Sequence, residues 1–202
     1  MVYPSDIAFT ESVKAIQERK QSREAYARLE RDNGWPTELT PDLSHFVAAQ
    51  TSFFLGTANH AGQPYIQHRG GPPGFLHVID SRTLAFADFK GNRQYVTQGN
   101  LAENPKAFLF LIDYESRVRI KIWGSAEVLE DQPELLKRLM PGQGTYKARG
   151  EQVILFNVEA WDRNCQQHIP RKIDREHVEA LMAERDRRIE ALEAQVRLYE
   201  RE

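Results

Sequence analysis

Lys90, Gly91, Asn92 and Arg93 fall together in the loop DFKGNRQ, directly after a run of strand-forming residues. An ammonium and a guanidinium on one tight turn supply positive charge, and the glycine exposes backbone amides beside them. That is the donor set a phosphate with several acceptor oxygens requires. A second group, Gln67, His68 and Arg69, closes another strand-like run and leads into Gly70, Gly71, Pro72, Pro73 and Gly74. Glycine there lets backbone approach a flat ligand with no side chain between them. The two loops together describe a site for a planar cofactor that carries a phosphate. Each also has a plainer reading. A polar turn bearing Lys90 and Arg93 is ordinary solvated surface, and a Gly-Pro loop serves simply to turn the chain.

Other reactive residue types are sparse. His68 is either a hydrogen-bonded sheet residue or a contact to the cofactor. Cys165 and His168, in NCQQHIP, offer a thiol and an imidazole, but no oxyanion donor or third orienting group can be named beside them, which argues against thiol catalysis. Asn164, Gln166 and Gln167 read better as amides that complete a pocket. A single cysteine excludes an internal disulfide, and without a spaced His/Cys cluster it does not build a zinc site, so no metal is expected.

The elements that must position these residues follow from patterning. With 202 residues, 41% of them hydrophobic, the chain can bury one substantial core. The 27 basic residues nearly balance the 29 acidic ones, so there is no broad positive field to hold nucleic acid or an anionic membrane. No apolar run is long enough to span a bilayer, and MVYPSDIAFTESVK lacks the order of a secretory signal, so a cytoplasmic location is expected. Ser5 to Arg31 reads as a helix ending near Asn33-Gly34, and Thr40-Pro41 caps a short helix through Gln50. Strands follow at Ser52–Ala58, Tyr65–Arg69, Phe75–Ile79 and Leu84–Phe89, in the order of a meander. After a helical or turn segment over Asn92–Asn100 come a buried strand at Ala107–Tyr114 and an alternating strand at Val118–Leu129, with Gly124 as its bend or bulge. A helix over Gln132–Met140, stopped by Pro141-Gly142, precedes a strand at Val153–Trp161. The fold class is mainly β within α+β: a six- or seven-stranded antiparallel split β-barrel with flanking helices and a C-terminal helix. Three regions are expected: a helical extension over 1–36, a barrel over 37–170 and an amphipathic helix over 171–202. In the last, Val178, Met182, Ile189, Leu192, Val196 and Tyr199 recur at steps of three and four with Arg185 interrupting the seam. That spacing fits a coiled coil or a helix laid on its own barrel.

The order of SFFLGTAN, PYIQHR, FLHVID, TLAFADF, KGNRQY, NLAENPKAFLFLID and RIKIWGSAEVL resembles the FMN-binding split-barrel family that includes the pyridoxamine 5'-phosphate oxidases. The resemblance covers roughly Asp42 to Trp161. It implies FMN held at the interface of a homodimer, with the phosphate gripped by Gly91, Asn92 and Arg93, where the oxidases carry Ser, Arg and Lys, and by Lys90 beside them. It implies Gln67, His68 and Arg69 along the ring and ribityl chain, and Arg119 from the other subunit, where the family has Gln. Asn164 and Gln166 are expected near the pyrimidine edge. The oxidases' C-terminal pattern for the vitamin substrate has no counterpart in WDRNCQQHIPRK, so oxidation of pyridoxamine phosphate is not the expected reaction. Three functions remain open: an FMN-dependent oxidoreductase for a small organic substrate, a non-catalytic binder of flavin or haem for storage or sensing, and an assembly protein coupled through its C-terminal helix.

Overall fold

The computed structural model describes residues 3–32, 34–141 and 146–199. The helix stops expected at Asn33 and Gly142 lie outside the described residues. The N-terminal helix expected over Ser5–Arg31 is broken into a 3-10 turn Pro4–Ile7, α1 Glu11–Arg19 and α2 Arg23–Asp32. The break falls at Gln21, whose φ of 61° is left-handed and incompatible with a continuing helix. Buried Glu30 accepts a hydrogen bond from the Ser5 hydroxyl at 3.1 Å and pairs with Arg23, tying the 3-10 turn to α2. Thr40 caps α3, Pro41–Ala49, by accepting from the Leu43 amide at 3.2 Å, with Pro41 pre-set at the first helical position.

Seven strands follow: β1 Ser52–Ala58, β2 Pro64–Gly70, β3 His77–Val78, β4 Thr83–Phe89, β5 Lys106–Asp113, β6 Val118–Leu129 and β7 Gly150–Asn164. α4, Val96–Glu103, precedes β5, and α5, Pro133–Leu139, precedes β7. They form one antiparallel sheet in the order β2-β1-β5-β6-β7-β4-β3, whose two end strands are not paired to each other. This is the expected split barrel. The meander order from β1 to β4 does not occur, because β2 and β3 sit at opposite ends of the sheet. The cause lies in the Gly-Pro loop. Gly71 donates to the Thr51 carbonyl at 3.0 Å and Gly74 to the Ala48 carbonyl at 2.7 Å, so the chain folds back over the α3–β1 junction instead of closing a β2–β3 turn. A Cβ on Gly71 would lie 2.6 Å from the Phe75 ring, so only glycine fits there. Phe75 and Leu76, expected to begin a strand, are buried ahead of it, and β3 is two residues long.

Alternation places Phe53, Leu55, Leu109, Ile122, Ile154 and Phe156 in the interior, each almost fully buried. Each such side chain contributes roughly 1.5–3 kcal/mol of transfer free energy. The ladder of β6 with β7 shifts register between Trp123 and Gly124, the bulge that alternation and glycine predict. The N-terminal segment is anchored through aromatic contacts: Trp35 stacks on Trp123 at 4.7 Å, and Phe9 lies 5.0 Å from Trp35.

Asp113–Val118 and the residues from Gln166 onward make a second compact unit. Within it the Lys172 ammonium lies 4.1 Å from the centre of the Tyr114 ring, and His177 Nδ1 is 3.1 Å from Glu115. Its long element is α6, Arg175–Tyr199. No helix among the described residues is long and apolar enough to cross a membrane.

Candidate functional site

One polar cleft gathers residues from five places. Gln67 and Arg69 enter from the inward face of β2, and Asp88 comes from the end of β4. Gly91, Asn92, Arg93 and Tyr95 belong to the loop that follows, and Thr97 and Gln98 open α4. Glu151 and Gln152 come from the start of β7. Period-two alternation accounts for the first pair: 67 and 69 share a face while 68 points away. His68 lies on the opposite face, its ring 5.6 Å from that of Phe54, and does not line the cleft.

The cleft floor is an ion pair. Arg69 and Asp88 are bound side chain to side chain and are 12% and 13% exposed. Asp88 also accepts from the Gln152 amide at 3.0 Å, and the Arg69 guanidinium lies 5.9 Å from the centre of the Phe86 ring. Strands near opposite ends of the sheet order are thus joined by side chains. Arg69 Nε is buried and has no hydrogen-bond partner among the described residues, an orphan donor beside the cleft. Gln67 is held by the Thr97 hydroxyl, which donates to its amide oxygen at 2.8 Å. That bond leaves the Gln67 NH2 as a donor.

The wall is strained. Arg93 and Tyr95 take φ of 62° and 53°, conformations that residues with a Cβ seldom adopt. Asn92 steadies the turn by accepting from the Gln94 amide at 3.2 Å. Tyr95 is the N-cap of α4 and provides no side-chain capping hydrogen bond, so the first amides of that helix are uncapped where Val96, Thr97 and Gln98 line the cleft. Arg93 Nε donates to the Tyr95 hydroxyl at 3.3 Å, and that hydroxyl donates to Glu151 at 2.9 Å. The Tyr95 hydroxyl, with the Glu151 carboxylate behind it, raises the Arg93 pKa further, so the group is a permanent cation. Two cations, Arg69 and Arg93, therefore face two carboxylates, Asp88 and Glu151. The excess of donors in this balance comes from the helix amides.

The cleft holds about 50 Å³. That is room for several water-sized groups, enough for a phosphate. A second, apolar cleft of about 1030 Å³ lies on the outer face of β1, β2 and β5, lined by Phe54, Ile66, Phe108, Phe110 and Trp123. Tyr65 borders both spaces.

Of the residues selected from sequence, Gln67, Arg69, Gly91, Asn92 and Arg93 converge on the polar cleft. Lys90 is exposed on the same turn, with its amide bound to the Arg149 carbonyl at 2.8 Å. Arg119 and Asn164 face each other across β6 and β7, and Arg119 Nε and Asn164 Oδ1 are both buried without partners among the described residues. They lie twelve positions along β7 from Gln152, roughly 40 Å for an extended strand, so one chain does not bring them to this cleft. Gln166 is exposed and falls in the second unit. Sequence reasoning missed Asp88, Tyr95, Thr97, Glu151 and Gln152. For Asp88 a signal exists: it continues the inward register of Leu84 and Phe86, where an acid needs a partner. Among the described residues, no group of three or more His, Cys, Asp or Glu is placed to hold a metal ion.

The sequence profile of the family described as pyridoxamine 5'-phosphate oxidase matches residues 39–165. No curated protein matches the chain. Among solved structures, HupZ of Group A Streptococcus superposes with a TM-score of 0.50 at 18% identity, over 66% of this chain and 99% of that one. A single-residue variant of the same protein gives 0.50 at 19% identity, over 62% and 99%. An FMN-binding protein from Syntrophomonas wolfei subsp. wolfei gives 0.48 at 14% identity, over 74% and 97%.

Proposed function

We propose that this chain, which belongs to the pyridoxamine 5'-phosphate oxidase family, binds FMN and uses it in the cytoplasm to oxidise or reduce a small organic substrate. One observation carries the reading: the uncapped start of α4, the Arg93 cation and the orphan donor of buried Arg69 surround a space of phosphate size. These residues fit a phosphate dianion. Arg93, the amides of α4 and the backbone at Gly91 and Asn92 hold it, with Lys90 adding charge from the rim. The Gln67 NH2 and Arg69 stand beside the phosphate, where the ribityl chain begins. When bound, the flavin supplies the two-electron chemistry.

In this reading the ring lies beyond the phosphate cleft, at the seam of a homodimer, with the barrel over 37–170 as the binding domain. His68, Arg119, Asn164 and Gln166 enter only through that second copy. The unpartnered Arg119 Nε and Asn164 Oδ1 are a donor and an acceptor of the kind a pyrimidine edge would satisfy.

Titration of the purified protein with FMN, and with riboflavin as the ligand lacking phosphate, tests the reading. FMN should bind at least tenfold more tightly and show its two near-visible bands in the complex. Arg93→Ala should weaken FMN about 10- to 100-fold, the effect of losing a charge-assisted hydrogen bond of ~1.5–3 kcal/mol, and leave riboflavin almost unchanged. Equal affinity for the two flavins would overturn the phosphate assignment. Rapid mixing of the FMN complex with reduced nicotinamides then separates an oxidoreductase from a storage or sensing protein, which takes up no hydride.

A further inference from the structure

We propose that α6 forms a parallel two-stranded coiled coil with a second copy of this chain, independently of any flavin. Val178, Met182, Arg185, Ile189, Leu192, Val196 and Tyr199 follow one another at steps of 4, 3, 4, 3, 4 and 3 along a single 25-residue helix. That is the heptad seam, which places Met182, Ile189 and Val196 at position a and Val178, Arg185, Leu192 and Tyr199 at position d. Within one chain the seam is open to solvent: Ile189 is 44% exposed, Leu192 46% and Val196 54%. Ile189, Leu192 and Val196, with Glu193 and Arg197, border an apolar groove of about 380 Å³. A helix of this length, about 37 Å, gains most of its stability by covering its apolar stripe, and among the described residues of its own unit nothing covers this one.

The occupant and its direction follow from side-chain types and charge. Ile and Val at a with Leu at d favour two parallel strands. Positions e are Glu179, Asp186 and Glu193, and the g position of the middle heptad is Arg188. An antiparallel pair sets the acidic e positions against one another. A parallel pair instead sets Arg188 of one copy against Glu193 of the other, twice by symmetry. Arg185 is the polar interruption. It donates to Asp186 on its own helix at 2.8 and 3.1 Å, so the seam cation carries its counter-charge with it. A polar residue at one seam position also fixes register.

The test uses the full chain with Cys165→Ser. Leu192→Cys places a thiol on the seam and Ala194→Cys places one two residues away, on the outer face. Under mild oxidation at low micromolar protein, the 192 variant should form a disulfide-linked dimer at least tenfold faster than the 194 variant. A dimer joined only through the barrels confers no such preference, so equal rates overturn the proposal. Arg188→Glu and Glu193→Arg, each added to the 192 variant, should slow self-linking several-fold, and mixing the two should restore it, because each chain then meets its opposite charge. If the separate variants link as fast as the mixture, the parallel register is wrong.

Discussion

Gly124→Ala should abolish the native barrel. A Cβ at this position would lie 1.9 Å from the Asn157 carbonyl oxygen and 2.9 Å from the Phe156 ring. The oxygen is backbone on β7, so relief requires moving a central strand pair at the point where their register shifts. Overpacking of this kind costs more than the usual 1–3 kcal/mol, against a total stability of roughly 5–15 kcal/mol. The expected result is a protein that is insoluble or has lost its cooperative thermal transition by near-ultraviolet circular dichroism. Gly56→Ala is the control, because its Cβ would meet only Phe108, at an ordinary 3.6 Å. That variant should melt within a few degrees of the parent. A Gly124→Ala protein that melts with it would mean the bulge is more plastic than its geometry indicates.

This bulge also shows what could be read without coordinates. A glycine inside an alternating strand signals a bulge from sequence alone, and β6 agrees with its expected limits because Ile120 and Ile122 alternate cleanly with Arg119 and Lys121. β7 runs past its expected end at Trp161 to Asn164, since outward-facing Glu159 and Arg163 blur the apolar signal. The order of strands departs from expectation for a different reason. Two strands adjacent in sequence usually pair, but the amides of Gly71 and Gly74 are spent on Thr51 and Ala48, and nothing local reveals that. The site divides in the same way. Gln67, Arg69, Gly91, Asn92 and Arg93 stand out through residue type and loop context. Gln152, Thr97 and Tyr95 are ordinary residues in sequence, and they acquire a role only when β7 and α4 are brought beside β2 by tertiary pairing.

Asp88→Asn should reveal whether Arg69 is shared between the fold and a ligand. In the free protein the substitution removes the negative charge facing a guanidinium that is 12% exposed, while keeping the shape and an acceptor for Gln152. Leaving one charge of a nearly buried pair uncompensated costs about 3 kcal/mol, which lowers the melting temperature by roughly 10 °C for a chain of this size. FMN changes the comparison. If its phosphate occupies the cleft, the dianion supplies the counter-charge that the variant lacks, so saturating FMN should raise the melting temperature of the variant more than that of the parent. Riboflavin, without a phosphate, should raise both by the same small amount. Stabilisation by a ligand grows with its affinity for the folded state, so the difference between the two flavins measures the anion alone. Arg69→Met on the Asp88→Asn background closes the cycle: with both charges gone, the extra gain from FMN should disappear. An Asp88→Asn protein that loses FMN affinity as severely as Arg93→Ala would show that the carboxylate helps to hold the cofactor, and that Arg69 belongs to the fold alone.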